Sequence, residues 1–369
     1  MSLKLIICII AVSIVIIILS GQIDYLSPNY LQWDMHEYLG MAKAFPKIDR
    51  AISLPFAYRI LGPWMVGLLP IPEEIGFHIL AIIASLSLAI IFPLFLIKSG
   101  ISPPSATLAA IFFVCNKHFF GLPVWNYFQL DDILLLIGIT IIFDAAPKNK
   151  WLIFACTLLI GSLAKETILI VLPTFLIYLI EYGLLRKYWA IFLTAIFPTI
   201  VVFISLREII QAPGVGLIEA MLIHMGKLTS PGTIYGLFIN SFAPFSLLPI
   251  IFWKRTVLFF SRRKYILVYF FMVFVSALFG SNNERLIAPA FIGFYWLIAE
   301  IIQNDIYPDK LMIIIFTALA FVSSFNYKVE FIQLPSSIPF MVIPFASQCL
   351  LTLLALARKR KMIGRYNLH

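Results

Sequence analysis

Charged side chains are scarce in this sequence. Of its 369 residues, 27 are Lys or Arg and 18 are Asp or Glu, 12% together against 62% hydrophobic. A soluble domain carries roughly 25% charged residues. With a mean hydropathy of +0.99, that deficit excludes an ordinary soluble domain and leaves a polytopic membrane protein. Cysteine is scarce too. Cys8, Cys115, Cys156 and Cys349 lie in or beside apolar runs, far from one another and from any His at ligand spacing, which argues against disulfides and against a zinc site. A glycine-rich loop ending in Lys and Ser or Thr is absent, so an ATP-driven pump is not expected. Internal repeats are absent as well, which argues against an inverted-repeat transporter. The formal net charge of +9 does not indicate nucleic acid, because the basic residues flank apolar runs, where an anionic leaflet accounts for them.

What is present is a series of apolar runs, enough for an all-α bundle of about 10 to 12 transmembrane helices at roughly 20 residues per crossing. We expect one transmembrane domain over residues 1–369, with outer loops near 21–74 and 207–231. The first run, Leu3 to Leu19, lacks a small-x-small cleavage pattern and reads as a retained helix entering from the cytosol. A twelve-crossing path gathers the dense basic clusters on one face: Lys148 and Lys150, Arg186 and Lys187, Lys254 and Arg255, Arg262 to Lys264, and Arg358 to Lys361. The positive-inside bias makes that face cytosolic, together with both termini. The expected location is a bacterial inner (plasma) membrane.

Three stretches need separate treatment. Ala57 to Leu69 is too short to span about 30 Å of hydrocarbon and is expected to lie along the membrane surface. Residues 104–122 are expected to cross once and leave Lys117 outside. Residues 151–183 form either one long helix or two short ones broken at Ala164-Lys165-Glu166-Thr167. A single crossing throws Arg186, Arg262 to Lys264 and Arg358 to Lys361 outside, whereas two keep them inside. The two-segment reading leaves Lys165 and Glu166 recessed in the membrane, where ionisable groups point to function.

The chemistry-bearing residues fall on the expected outer face. In Trp33-Asp34-Met35-His36-Glu37-Tyr38, a helix sets Asp34 and Glu37 at i, i+3 on one side. This carboxylate pair suits a general base or a hard cation, while a solvated loop with Trp33 and Tyr38 in an interfacial belt explains the same residues. Arg59, in an apolar stretch bracketed by Pro55 and Pro63, suits a phosphate or snorkels to headgroups. Asp131 and Asp132 open an apolar crossing, where the helix dipole favours at least one of them as a cap. Lys165 and Glu166 form an internal pair or bind an anion. Glu284 and Arg285, after Ser281-Asn282-Asn283, start another crossing and are read as an interfacial pair or as binding residues.

In that order these motifs resemble the GT-C superfamily of membrane glycosyltransferases, which includes protein O-mannosyltransferases and aminoarabinose transferases. The resemblance rests on Asp34 in the first outer loop, on Leu163 to Thr167, and on the Asn-Glu-Arg-Leu-x-x-Pro helix start from Asn283 to Pro289. It implies a GT-C-like bundle that moves a sugar from a polyprenyl-phosphate donor to an acceptor on the outer face. By the same resemblance Asp34 is the base or an acceptor-orienting carboxylate; apart from the resemblance, Glu37 and Asp132 are the next carboxylates in line for the catalytic role. The resemblance makes Arg59, Lys165 and Arg285 phosphate-binding candidates, and position on the expected outer face adds His36, Asp131, Glu166 and Glu284 as substrate-binding candidates. No cofactor is implied with certainty, and a divalent cation stays open. The competing readings are a transporter or flippase for a lipid-linked or anionic solute, and an O-antigen-type polymerase. A transporter needs polar lining in both halves of the membrane, whereas these crossings keep their inner halves almost free of ionisable residues.

Overall fold

The computed structural model describes residues 1–30, 33–48, 52–213, 230–277, 282–324 and 342–366, with Glu219, Leu222, Ile223 and Gly226. Every regular element among them is helical. Three helices are long and apolar enough to cross a membrane: α1 (Leu3–Ser20), α4 (Glu73–Lys98) and α10 (Leu185–Ile210). Between α1 and α4 lie the short helices α2 (Met35–Ala44) and α3 (Leu61–Gly67).

A fourth apolar stretch is bent by 63° at a short break, as a broken span or a re-entrant loop is. Helix α5 (Pro103–Val114) stops at Asn116, and the chain continues through Lys117–Gly121 into α6 (Leu122–Trp125) at 63° to its first half. The Asn116 side chain makes the break. Its Oδ1 accepts from the His118 and Phe119 N–H groups at 2.9 Å each, and its Nδ2 donates to the Ser241 carbonyl at 2.8 Å. A freed helix terminus is thereby satisfied inside the bundle. The stretch expected to cross at 104–122 is therefore bent, and Lys117 is buried in the bend with 4% exposure.

The two-segment reading of 151–183 matches the backbone. Helix α8 (Trp151–Ala164) ends at Lys165, which is extended (φ −161°, ψ 131°), and a short turn of helix leads into α9 (Val171–Glu181). Helices α7 (Leu130–Ala145) and Phe291–Ile301 form the buried centre, nearly every residue shielded. Helix α7 packs against α4 and α8, α8 against α10, and Lys264–Ser276 against α9.

The outer helices run the other way. Helices α1 and α10 expose large apolar side chains such as Ile7, Ile18, Trp189, Phe197 and Ile204. Apolar surface on that scale needs a nonaqueous neighbour, so these helices have the composition of lipid-facing elements. Within Ala57 to Leu69, α3 packs on α2, α4, α7 and α8 with Val66 fully buried, while Leu68 is 67% exposed.

Ionisable residues separate along the bundle. At one end Lys98 and Lys148 both pair with Asp144, Arg263 with Glu300 at 2.7 Å, Arg255 with Asp305 at 3.1 Å and Arg358 with Asp309 at 3.0 Å. The other end holds Asp34, Arg59, Asp131, Asp132, Lys165, Glu166 and Arg285. Helix α7 joins the two, and between Asp132 and Asp144 its only polar side chain is Thr140, bonded to its own helix at the Leu136 carbonyl.

Candidate functional site

The start of α7 organises the second cluster. Asp131 and Asp132 occupy its first turn, where the exposed N–H groups favour negative charge. Both are buried, so each needs a partner. Lys165 supplies one. The extended backbone at the break sends its side chain to Asp132, Nζ to Oδ1 at 2.5 Å, with Lys165 3% exposed. Arg285, at the start of the Asn283–Leu286 helix, takes the other oxygen, Nε to Oδ2 at 2.5 Å, and reaches Asp34 Oδ2 through Nη1 at 3.2 Å. Gln129, just before α7, donates from Nε2 to Asp34 Oδ1 at 2.7 Å.

A second strand of the network enters from the loop. Arg59 forks onto Glu166, Nη2 to Oε1 at 2.6 Å and Nε to Oε2 at 3.2 Å, and its Nη1 donates to the Tyr38 hydroxyl at 3.4 Å. Such a fork fits a carboxylate or a phosphate equally. Burial works against the Arg59 charge, but the Glu166 carboxylate more than offsets it and holds the guanidinium protonated. Burial likewise holds the Tyr38 phenol above its ordinary range, with Arg59 opposing. Lys165 and Glu166 are consecutive, so the two strands meet. Gln129, Asp34, Arg285, Asp132 and Lys165 form one bonded chain and Glu166, Arg59 and Tyr38 a second, adjoined at the Lys165–Glu166 peptide bond.

Residues 34, 59, 132, 165, 166 and 285 thus come together from five distant parts of the chain. The cluster is closed by its own ion pairs, and its most accessible carboxylate is Glu166, whose side chain is 30% exposed.

Other expected site residues stand apart. Asp131 Oδ1 accepts from the Gly62 N–H at 2.8 Å, while its Oδ2 is buried with no partner among the described residues. Glu37 accepts from Ser53 Oγ at 3.0 Å, and His36 Nε2 is buried without a partner there. The pairing of Arg285 with its sequence neighbour Glu284 does not occur. Arg285 turns to Asp34 and Asp132, and Glu284 faces Gly236 and bears electrostatically on Lys117. No grouping of three or more His, Cys, Asp or Glu that can hold a metal ion occurs among the described residues.

Sequence reasoning missed Gln129, Tyr38 and Gly62. Tyr38 reads in the sequence as an interfacial-belt residue, and a lone glutamine or glycine carries no spacing signal. Gly62 is needed for its size, because a Cβ there lies 2.9 Å from Asp131 Oδ1 and 3.0 Å from the carboxyl carbon. Gly62→Ala is therefore expected to push the carboxylate off the Gly62 N–H and to cost about 1–3 kcal/mol. The check is the apparent melting midpoint in detergent. Gly40→Ala, where a Cβ meets only Ile52 Cδ1 at 3.6 Å, is the control and should leave the midpoint unchanged or raised.

Comparison of the chain with protein-family models, with curated proteins and with solved structures finds no match in any of the three.

Proposed function

We propose that this chain is an integral membrane glycosyltransferase of GT-C-like architecture with 10 to 12 crossings, moving a sugar from a polyprenyl-phosphate donor to an acceptor on the outer face. One observation carries the reading: Arg59, Lys165 and Arg285 converge with Asp34, Asp132 and Glu166 at the end of the bundle opposite the dense basic clusters. Three cations buried near a bilayer are costly unless an anion compensates them, and here the three carboxylates fill that role. A donor phosphate can replace Glu166 on the Arg59 fork and Asp34 on Arg285, which frees the Asp34 carboxylate.

In this scheme Asp34 takes the proton from the acceptor hydroxyl, whose oxygen attacks the anomeric carbon. The bond from that carbon to the phosphate oxygen breaks, and the leaving polyprenyl phosphate keeps the electron pair. Arg59, Lys165 and Arg285 stabilise the charge that develops on it. Asp132, clamped between two cations, positions Lys165 and Arg285 and is poorly placed to accept a proton. The apolar interior of α7 between Asp132 and Asp144 favours an enzyme over a transporter, which needs polar lining in both halves.

The experiment is mass analysis of polyprenyl-linked sugars and envelope glycans in cells lacking the chain. One polyprenyl-phosphate sugar should accumulate while one glycan loses a sugar, and unchanged pools overturn the proposal. Sidedness is tested separately in a cysteine-free background. A cysteine at Leu26, 69% exposed, should react with an impermeant reagent in intact cells, and one at Lys187 only after permeabilisation. The reverse pattern overturns the orientation.

A further inference from the structure

A cavity of ≈ 300 Å³ lies at the basic end of the bundle, lined by Lys98, Lys148, Arg263, Asp144, Trp296 and three tyrosines, Tyr178, Tyr182 and Tyr265, among others. It is distinct from the cluster described above, because Asp132 and Asp144 are separated by twelve residues of α7, roughly 18 Å. Its charges do not balance. Among the residues that line it, Lys98, Lys148 and Arg263 face the single carboxylate of Asp144. Glu300, outside the lining, pairs with Arg263, and Glu181 beside the cavity accepts from the Lys264 and Tyr265 N–H groups.

Two buried donors there have no acceptor. Arg263 Nη1 and the Trp296 indole Nε1 are shielded and lack a hydrogen-bond partner among the described residues. Arg263 cannot simply turn away, since its guanidinium lies 4.6 Å over both the Phe259 and the Trp296 rings. A surplus positive charge beside two fixed, unsatisfied N–H groups calls for an anionic acceptor.

From this geometry we infer that the cavity binds the phosphate-bearing headgroup of an anionic lipid. The volume is at the small end of ligand pockets, about 300–1,000 Å³, which suits a headgroup with its acyl chains outside. The tyrosines and Trp296 are the residue types that settle at headgroup level, and basic pockets between crossing helices on the cytoplasmic side take such headgroups. Arg263 Nη1 and Trp296 Nε1 donate to the phosphate oxygens, and Lys98 and Lys148, 54% and 36% exposed, swing from Asp144 to close over it. The inference needs the chain to lie in a bilayer and is independent of glycosyl transfer.

The test is native mass spectrometry of the purified protein from micelles holding equimolar phosphatidylglycerol and phosphatidylcholine with the same acyl chains. Phosphatidylglycerol should be retained about tenfold or more over phosphatidylcholine. The Lys98→Gln, Lys148→Gln double variant should lower phosphatidylglycerol retention about thirtyfold, at roughly 1 kcal/mol per basic residue, and so abolish a tenfold preference; both side chains are exposed enough for the fold to tolerate the change. Trp296→Phe, which keeps a ring and removes only the N–H, should weaken retention severalfold. The Lys187→Gln, Lys254→Gln pair, also exposed and outside the cavity lining, should keep the preference. Equal retention of the two lipids overturns the proposal, as does an equal loss in the Lys187, Lys254 variant. Glycerol 3-phosphate displacing the lipid at comparable concentration reassigns the cavity to a soluble phosphate and overturns the lipid as its source.

Discussion

Asp34→Asn is expected to lower sugar transfer by about 10²–10⁴-fold, the usual contribution of a positioned general base, while the protein still inserts and stays folded. The change keeps the side-chain shape and removes the charge. The amide that replaces the carboxylate can still accept from Gln129 Nε2 through its carbonyl oxygen, and Arg285 retains Asp132 as a partner, so the structural loss is small. The readout is the polyprenyl-linked sugar pool in cells carrying only the variant, beside the melting midpoint of the purified protein. Full complementation by Asp34→Asn moves the base elsewhere, with Glu37 the next carboxylate on the same helix.

The second large effect is on stability. Asp132 is 6% exposed and accepts from Lys165 and Arg285 at once. Asp132→Asn leaves Lys165 buried with no carboxylate and halves the pairing of Arg285. Breaking a buried pair by removing one member costs about 3–5 kcal/mol, which corresponds to roughly a 10 °C drop in apparent midpoint. Asp144→Asn provides the contrast at the opposite end. Its side chain and those of its two lysines are more exposed, so the loss should stay within about 1 kcal/mol. Adding Lys165→Met to Asp132→Asn removes the orphaned charge and should recover at least half of the deficit. A double variant no more stable than the single one means that burial of Lys165 is not the source of the loss.

Much of this arrangement is legible in the residues themselves. The break at Lys165 follows from keeping the basic clusters on one side, whereas the contact of the lysine with the start of α7 is seen only in the fold. Arg59, Lys165 and Arg285 stand out because a lone cation in apolar sequence needs an anion. The identity of each anion is not legible. Glu284 is the nearest carboxylate to Arg285 along the chain, yet the helix start turns the two side chains apart, and Arg285 finds Asp34, 251 positions away. Pairing of that kind depends on how the helices pack, which no local spacing encodes. The bend at Asn116 escaped for a related reason: an asparagine in an apolar run reads as tolerated until its bonds to His118, Phe119 and Ser241 show that it ends one helix and starts another.

The central claim is that the cluster at the start of α7 holds a polyprenyl phosphate. Its most direct test is equilibrium binding of a short-chain polyprenyl phosphate and of the matching polyprenol to the purified protein in zwitterionic nanodiscs. The account predicts that the phosphate binds at least about tenfold tighter than the alcohol. It also predicts that Arg59→Lys with Arg285→Lys, which keeps the charges and removes the forks, abolishes that preference, while Lys98→Gln with Lys148→Gln leaves it intact. Equal binding of phosphate and alcohol contradicts the account, and so does a preference that survives loss of the arginines but disappears with the two lysines.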